Sequence, residues 1–141
     1  MPGARPIPEA DLPAWLGEIA QHFQQEIKIH FAAEETVLFP AARQFQELIS
    51  LVEELVADHA SLRESFSRAE SRQLSAEEVA ALAEQLAAHI RKEERQLFET
   101  MQRLMGAEEL ADLGLNLETA LKDAAQSCVF PNQVTKLKPK C

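Results

Sequence analysis

The sequence predicts an all-α protein, an antiparallel up-down helical bundle with three long helices and a shorter C-terminal helix. Alanine, leucine, glutamate and glutamine dominate the 141 residues, and all four favour helices. Apolar residues recur every three or four positions over long stretches, and no run of alternating β-branched residues indicates a strand. Because the connections between these stretches are short, neighbouring helices should be antiparallel. A chain of this length forms one domain with its own core.

The first helix is expected from Asp11 to about Arg43, after an irregular lead-in over residues 1–10 that is rich in proline. Asp11 is a candidate N-cap, and Pro13 lies in the first turn, where its missing N–H does no harm. Apolar side chains then follow at helical spacing as far as position 41. Pro40 should kink or end this helix, because proline cannot donate the backbone hydrogen bond.

The chain is expected to reverse direction near residues 44–48, and a second helix should follow over residues 47–70. A polar connection at residues 71–75 leads to the third helix. Its start carries a capping box, with the Ser75 hydroxyl at the N-cap and Glu78 three residues later. The third helix should extend to about residue 104. The inward stripe of the second helix is predicted to contain Leu55, His59, Leu62 and Phe66.

Gly106 is typical of a helix end, and a shorter amphipathic helix is expected over residues 107–125. The bundle domain is therefore predicted to cover residues 11–125. Residues 126–141 contain lysines and no acidic residue, so they should form a basic, extended or disordered tail.

The formal net charge of −9 argues against nucleic acids and anionic membranes as partners. The sequence shows no apolar secretory signal behind the N-terminus and no segment long enough to span a bilayer. Both cysteines, Cys128 and Cys141, lie in the predicted tail and do not make a disulfide framework. These features favour a cytoplasmic location.

A ten-residue pattern, His-x-x-x-Glu-Glu-x-x-Leu-Phe, occurs twice, at residues 30–39 and at residues 89–98. Residues four apart lie about one turn apart on the same helix face, so each copy places an imidazole beside a carboxylate. His59 interrupts the apolar stripe of the second helix, where a ligand would lie. Antiparallel packing can bring these positions to one level. The candidate metal ligands are His30, Glu34, His59, His89 and Glu93.

Imidazole and carboxylate groups accept iron, manganese and zinc, so the residue types leave the metal open. A lone histidine such as His59 is more often part of a core than a ligand, but two His–Glu pairs on matching faces reverse that preference. Five protein ligands are too few for two octahedral ions, which leaves positions for water or a small exogenous ligand. Glu35 and Glu94 are expected to face solvent, to pair with a lysine or arginine, or to contact a metal ligand from behind. Arg63 is expected to pair with an acid on a neighbouring helix. Phe31, Phe39 and Phe98 are expected to be core residues.

Three segments together resemble the hemerythrin-like, or HHE cation-binding, domain over about residues 12–125. They are His-Phe-Ala-Ala-Glu-Glu-Thr-Val-Leu-Phe-Pro from residue 30, Asp-His-Ala-Ser-Leu-Arg from residue 58 and His-Ile-Arg-Lys-Glu-Glu-Arg-Gln-Leu-Phe from residue 89. The resemblance implies a four-helix bundle with a non-haem di-iron centre, in which Glu34 and Glu93 bridge the ions. It also implies binding or sensing of dioxygen or a related diatomic or anionic ligand, sensing of iron or redox state, or handling of nitric oxide and peroxide.

The sequence departs from the family at its start. The family has a further helix ahead of the one that carries His30, and that helix donates another histidine, but residues 1–10 contain none. Either the chain is a truncated form, or the site is completed by other means, such as Glu26 one turn before His30, or the site is degenerate and holds one ion instead of two. The missing helix should also leave an apolar groove. Either a homodimer fills this groove or the helix at residues 107–125 folds over it, and Trp15 then serves packing or an interface.

The sequence therefore favours an iron-binding carrier or sensor with a carboxylate-bridged di-iron site. An enzyme is less favoured, because no nucleophile grouping and no site for a reducible substrate is evident. The alternative is a metal-poor or degenerate bundle that acts as a self-association or protein-interaction module.

Overall fold

A computed structural model describes residues 8–128, which form four helices and contain no strand. Helix α1 covers residues 12–42, α2 is Ile49–Glu70, α3 covers residues 76–104, and α4 is Ala107–Cys128. The all-α fold class and the helical bundle predicted from the sequence are confirmed. Within residues 8–128, no helix combines the length and the apolar composition that crossing a membrane requires.

Helix α1 is not uniformly α-helical. Its α-helical segments are Leu12–His22, Lys28–Ala33 and Phe39–Ala42, and π-helical turns at Phe23–Ile27 and Glu34–Leu38 join them. The second π turn directly precedes the predicted helix breaker Pro40, and the helix ends two residues beyond that proline. The chain then reverses, as predicted, before α2.

Helix α3 contains a matching irregularity. It is α-helical over Ala76–Lys92 and Glu99–Leu104, with a π turn at Glu93–Phe98 between them. Both copies of the ten-residue pattern therefore contain a π turn, and each of these turns begins at a candidate glutamate ligand, Glu34 or Glu93. The helical spacing of the sequence does not predict these π turns. Turns of this kind are frequent at functional sites.

The helix ends agree in part with the predicted caps. The Ser75 hydroxyl accepts from the Glu78 N–H, and the Ser75 N–H donates to the Glu78 carboxylate, so the capping box is confirmed. Asp11 lies at the N-cap of α1 but its side chain makes no capping hydrogen bond. Helix α4 continues to Cys128, three residues into the predicted tail. The rest of that tail and residues 1–7 of the lead-in lie outside the described residues.

Two clusters of buried side chains form the core, one towards each end of the bundle. The first lies where the start of α1 packs on α2 and α3, and the second lies near the turns at the opposite end, where α4 joins the packing. The predicted inward stripe of α2 is buried in full. The members of the two clusters that are less than 2% exposed include Leu38, Phe39, Val52, Leu55, Leu62, Leu97 and Met101.

Phe98 corrects one prediction. Phe31 and Phe39 are buried, as expected, whereas Phe98 is 36% exposed. Neighbouring helix residues point in directions about 100° apart, and Leu97 takes the inward direction in α3.

Helix α4 packs along α1 over the segments Lys28–Ala33 and Glu34–Leu38. It does not cover the groove between α1 and α3, because its described side chains contribute no lining residue there. Trp15 on α1 is 48% exposed in this groove, and Ile90 on α3 is 44% exposed. The bundle is therefore open on one side, next to the candidate ligands.

The core can be tested with matched leucine truncations. Leu55 in α2 is 0% exposed, whereas Leu115 in α4 is 62% exposed. We expect Leu55→Ala to lower the free energy of unfolding by about 2 to 5 kcal/mol, because it leaves a cavity. The control Leu115→Ala should change that free energy by less than about 0.5 kcal/mol. Urea denaturation of both variants measures the difference, and equal effects would contradict the packing described here.

Candidate metal centre

Four of the five predicted ligands converge between the first three helices. Glu34 comes from α1, His59 from α2, and His89 and Glu93 come from α3. One ligand atom from each residue lies within 4.8 Å of the others. The two histidines and Glu93 are buried, and Glu34 is half-buried. Among the described residues, this is the one group of three or more such side chains that could hold a metal ion.

Aromatic side chains fix the His59 ring at the centre of α2. The ring stacks on Phe31 with 3.8 Å between the ring centroids, and Phe39 lies 5.3 Å away on the same measure. The guanidinium of Arg63 lies over the Phe31 ring, 5.4 Å from its centroid. This packing leaves the imidazole little freedom to rotate, so its two nitrogens have fixed surroundings.

The His59 Nδ1–H points away from the cluster and donates to the Glu35 carboxylate at 2.6 Å. Glu35 is itself held by two hydrogen bonds from the Arg63 guanidinium, at 2.8 and 3.0 Å. The predicted pairing of Arg63 with an acid on a neighbouring helix is thus confirmed. On the other side of the ring, His59 Nε2 lies 3.0 Å from Glu34 Oε1. Nε2 is therefore the nitrogen that faces the cluster.

His89 repeats this arrangement. Its Nδ1–H donates to Asp58 at 3.1 Å, and the Lys92 ammonium donates to the same Asp58 oxygen at 2.8 Å. Lys92 also lies 3.3 Å from the exposed Glu54 carboxylate. The Nε2 atom of His89 faces Glu93, one helical turn away, at 3.3 Å from Oε2. Carboxylates that accept from the outer nitrogen of a histidine are common around metal ligands, because they orient the inner nitrogen.

Two buried polar atoms in the cluster, His89 Nε2 and Glu93 Oε2, lie 3.3 Å apart, but neither makes a hydrogen bond with the other or with any other described group. Each such atom costs about 1 to 3 kcal/mol when it is left unsatisfied. Both belong to groups that ligate metal ions, and both lie in the group of converging ligand atoms. A bound cation would satisfy both atoms at once, so the residues present fit a metal ion.

The pKa values of the two cluster carboxylates shift in opposite directions, although burial acts to raise both. Burial first, and then the neighbouring Glu93, raise the pKa of Glu34 to about 10, so Glu34 keeps its proton at neutral pH and can donate it to His59 Nε2. Burial also acts to raise the pKa of Glu93, but the adjacent His89 imidazole and Glu34 carboxyl outweigh it and lower that pKa. Burial lowers the pKa of His59, which keeps its imidazole neutral, the form that binds metals.

The fifth candidate, His30, is exposed and lies outside the group of four. It lines a cavity of about 420 Å³ between α1 and α3, which we call the site cavity. Glu34, His89 and Glu93 line the same cavity, and so does His22. His30 therefore lies at the open side of the cluster, and its role as a ligand stays a prediction.

The sequence pattern left a contact behind a metal ligand as one of three alternatives for Glu35, and the structure shows that contact at His59. The pattern gave no role to Asp58 and Lys92, which lie behind His89. The sequence does contain a signal for these carboxylates, because Glu35 directly follows Glu34 and Asp58 directly precedes His59. Which of two adjacent acids faces inward depends on the π turns and the helix rotation, and the sequence pattern does not specify these.

Comparison with known families agrees with this geometry. Residues 3–101 match the family model described as the hemerythrin HHE cation binding domain. The match covers more than half of the chain and includes all five candidate ligands. No curated protein and no solved structure matches the chain.

The raised pKa of Glu34 predicts how the metal-free protein depends on pH. The pKa in the native state, about 10, lies above the ordinary value of 4.5, so this group's contribution to stability is full below pH 4.5 and is lost as the pH rises towards 10. Glu34→Gln imitates the protonated acid and removes this loss. With a chelator present, we expect the variant to be more stable than the parent at neutral pH by roughly 1 to 3 kcal/mol.

Denaturation with urea at neutral pH and near pH 4.5 measures this difference in stability. The difference should shrink at the lower pH, because much less of the Glu34 carboxyl is then ionised in the unfolded protein. Glu84→Gln is the control, since Glu84 is exposed on α3. A Glu34→Gln variant that is less stable than the parent at neutral pH would show that Glu34 is ionised in the metal-free protein.

Proposed function

The chain belongs to the hemerythrin HHE cation binding domain family, and from this premise we propose that it binds iron between α1, α2 and α3. We further propose that the bound iron serves to bind or sense dioxygen or a related small ligand. The observation that carries the proposal is the converging set of four ligand atoms, in which one imidazole nitrogen and one carboxylate oxygen have no other partner. Buried groups of this kind need a cation or a proton.

Glu34, His59, His89 and Glu93 would hold the iron, with Nε2 as the ligand atom of each imidazole. Iron at such a site supplies open coordination positions and a change of redox state. Manganese and zinc accept the same ligands, so iron is the choice that the family resemblance favours. Glu34 would lose its proton when a cation binds, because the cation stabilises the ionised carboxylate.

A second iron is proposed on the side of the site cavity. His30 lines that cavity together with Glu34 and Glu93, and these two carboxylates could be shared between two ions. Without His30, residues 8–128 offer only the four-residue group described above. The number of ions per chain therefore depends on whether the His30 imidazole rotates from the rim of the cavity far enough inward to ligate a second ion.

The carboxylates that contact the Nδ1 side of each histidine, which we call the outer carboxylates, orient the imidazoles and fix which ring nitrogen carries the proton. Glu35 and Asp58 accept the Nδ1–H of the two histidines, and this fixes the tautomer that leaves Nε2 free to ligate. Arg63 and Lys92 offset the negative charge of these carboxylates. Through these contacts the chain holds both imidazoles in the orientation that a metal ligand needs. His59 is also kept neutral, whereas the pKa of His89, which burial alone would lower, is raised by Glu93 and Asp58.

One observation favours the second function, an interaction module. The groove between α1 and α3 exposes the large apolar side chains of Trp15 and Ile90 at different points along its length, and exposed apolar surface of this kind often marks a contact surface. A dimer that persists when the metal is removed with a chelator would favour this function, and an iron-free monomer would favour neither. The burial of the ligand group makes iron binding the stronger proposal.

The first test is the iron content per chain, measured by elemental analysis after anaerobic loading with ferrous iron and removal of the excess. We expect about two irons per chain for the parent, and His30→Ala should lower the content to about one. His59→Ala and Glu93→Ala should remove most of the iron. Glu84→Ala changes an exposed acid on the same helix as Glu93 and should leave the content unchanged. If His59→Ala and Glu93→Ala retain the parental content, iron does not bind at this cluster.

A second test addresses the outer carboxylates. We expect Asp58→Asn and Glu35→Gln to weaken the affinity for iron by about 10- to 100-fold, because the imidazoles lose the partner that orients them. The control is Glu54→Gln, since Glu54 is exposed and contacts Lys92 but no histidine. Competition against a chelator of known affinity measures all three variants. An equal loss in Glu54→Gln would mean that net charge, and not orientation, determines the affinity.

A further inference from the structure

The site cavity adjoins a second cavity in the same groove between α1 and α3. This second cavity, which we call the apolar cavity, measures about 320 Å³ and reaches Trp15 and Val79 near the far end of the bundle. The two cavities share His22, Ile27 and Leu86 as lining residues, so they form one continuous groove. From the helical rise between positions 79 and 93 of α3, the groove is roughly 21 Å long.

The two ends of this groove differ in chemistry. The end formed by the site cavity contains the ligand residues Glu34, His89 and Glu93. The other end is lined mainly by apolar side chains, which are Trp15, Ile19, Phe66, Val79, Leu82 and Leu86. Such a groove matches a molecule with an apolar chain and a polar head, and its size exceeds what a diatomic ligand needs.

We propose that the groove binds a long-chain carboxylate, with the chain between α1 and α3 and the carboxylate at the metal centre. The proposal rests on the metal binding proposed above and names a further class of ligand for that site. A chain in this position would cover Trp15, Ile90 and the half-buried Leu86, which α4 leaves uncovered.

Charge decides which head group fits. The protein carries a net charge of −9, and Glu18 and Glu94 line the groove in addition to the two cluster carboxylates. A carboxylate head would therefore be repelled by the metal-free protein. A bound metal is the largest local positive charge in such a site, and it turns this repulsion of the carboxylate into attraction. The affinity for the carboxylate should consequently depend on the metal, whereas that for a neutral alcohol of equal length should not.

Trp15 is a built-in reporter, because it is the sole tryptophan and lines the apolar cavity. The experiment titrates hexadecanoate, hexadecan-1-ol and acetate into iron-loaded protein under anaerobic conditions and into metal-free protein, and follows the Trp15 emission. A sixteen-carbon chain is long enough to approach Trp15 from the metal centre. Hexadecanoate should shift the emission to shorter wavelength in a saturable way and bind about tenfold more tightly to the iron-loaded form. Hexadecan-1-ol should bind both forms within about a factor of two, and acetate should leave the emission unchanged.

A pair of alanine substitutions tests the position of the chain. Ala83 is exposed and lines the apolar cavity, and Ala81 is exposed on the same helix outside it. Ala83→Leu fills the groove without removing any buried atom, so the variant should fold, and it should weaken hexadecanoate binding by about tenfold or more. Ala81→Leu adds the same side chain elsewhere and should leave that affinity unchanged.

Elemental analysis of the same samples separates this proposal from the metal proposal. Iron-loaded protein whose Trp15 emission does not respond to hexadecanoate overturns the ligand proposal alone. Equal hexadecanoate affinity with and without iron also overturns it, since the head group then does not reach the metal. Protein that retains no iron overturns both proposals. A metal-independent dimer in sedimentation, with no response to hexadecanoate, assigns the groove to a second copy of the chain and overturns the ligand proposal.

Discussion

Two carboxylates and two imidazoles enclosed between three helices impose the main constraint on this structure. Ionised groups are expensive to bury, so the metal-free protein must retain a proton on Glu34 and keep His59 neutral. Even then, His89 Nε2 and Glu93 Oε2 remain without partners. The cluster therefore lowers the stability of the metal-free bundle, and a cation that binds there acts as part of the fold.

The surroundings of the cluster are consistent with this role. Each histidine donates outward to a carboxylate, and each of these carboxylates contacts a cation, Arg63 or Lys92. The two chains of contacts start from different helices but have the same order of groups. They direct Nε2 of both imidazoles inward and place positive charge behind the negative groups. Core packing alone would not require ion pairs at both positions, since replacing such pairs with apolar groups is often neutral for stability.

Much of this arrangement could be predicted from the sequence because it depends on period and residue type. Helical spacing and the Ser75 capping box specify the helices. The repeated His–Glu pattern, together with the position of His59 in the inward stripe of α2, specifies the four residues that converge. The exposure of Phe98 and the position of His30 outside the group could not be predicted in this way. Both depend on local helix rotation, which the π turns change, and a strict helical period contains no information about such turns.

The open side of the bundle gives the site its accessibility. Helix α4 packs on α1 beside the site, so the cluster is enclosed by α1, α2 and α3 but remains connected to solvent through the groove. A metal buried on all sides could stabilise the fold but could not exchange ligands. Because Glu34, His89 and Glu93 line a cavity whose other walls include Ile27, Phe31 and Ile90, an incoming ligand meets apolar surface before it reaches the polar cluster. Water is held weakly by such walls, so the groove favours ligands that are themselves partly apolar. This asymmetry, polar at one end and apolar along its length, determines which molecules the site can accept.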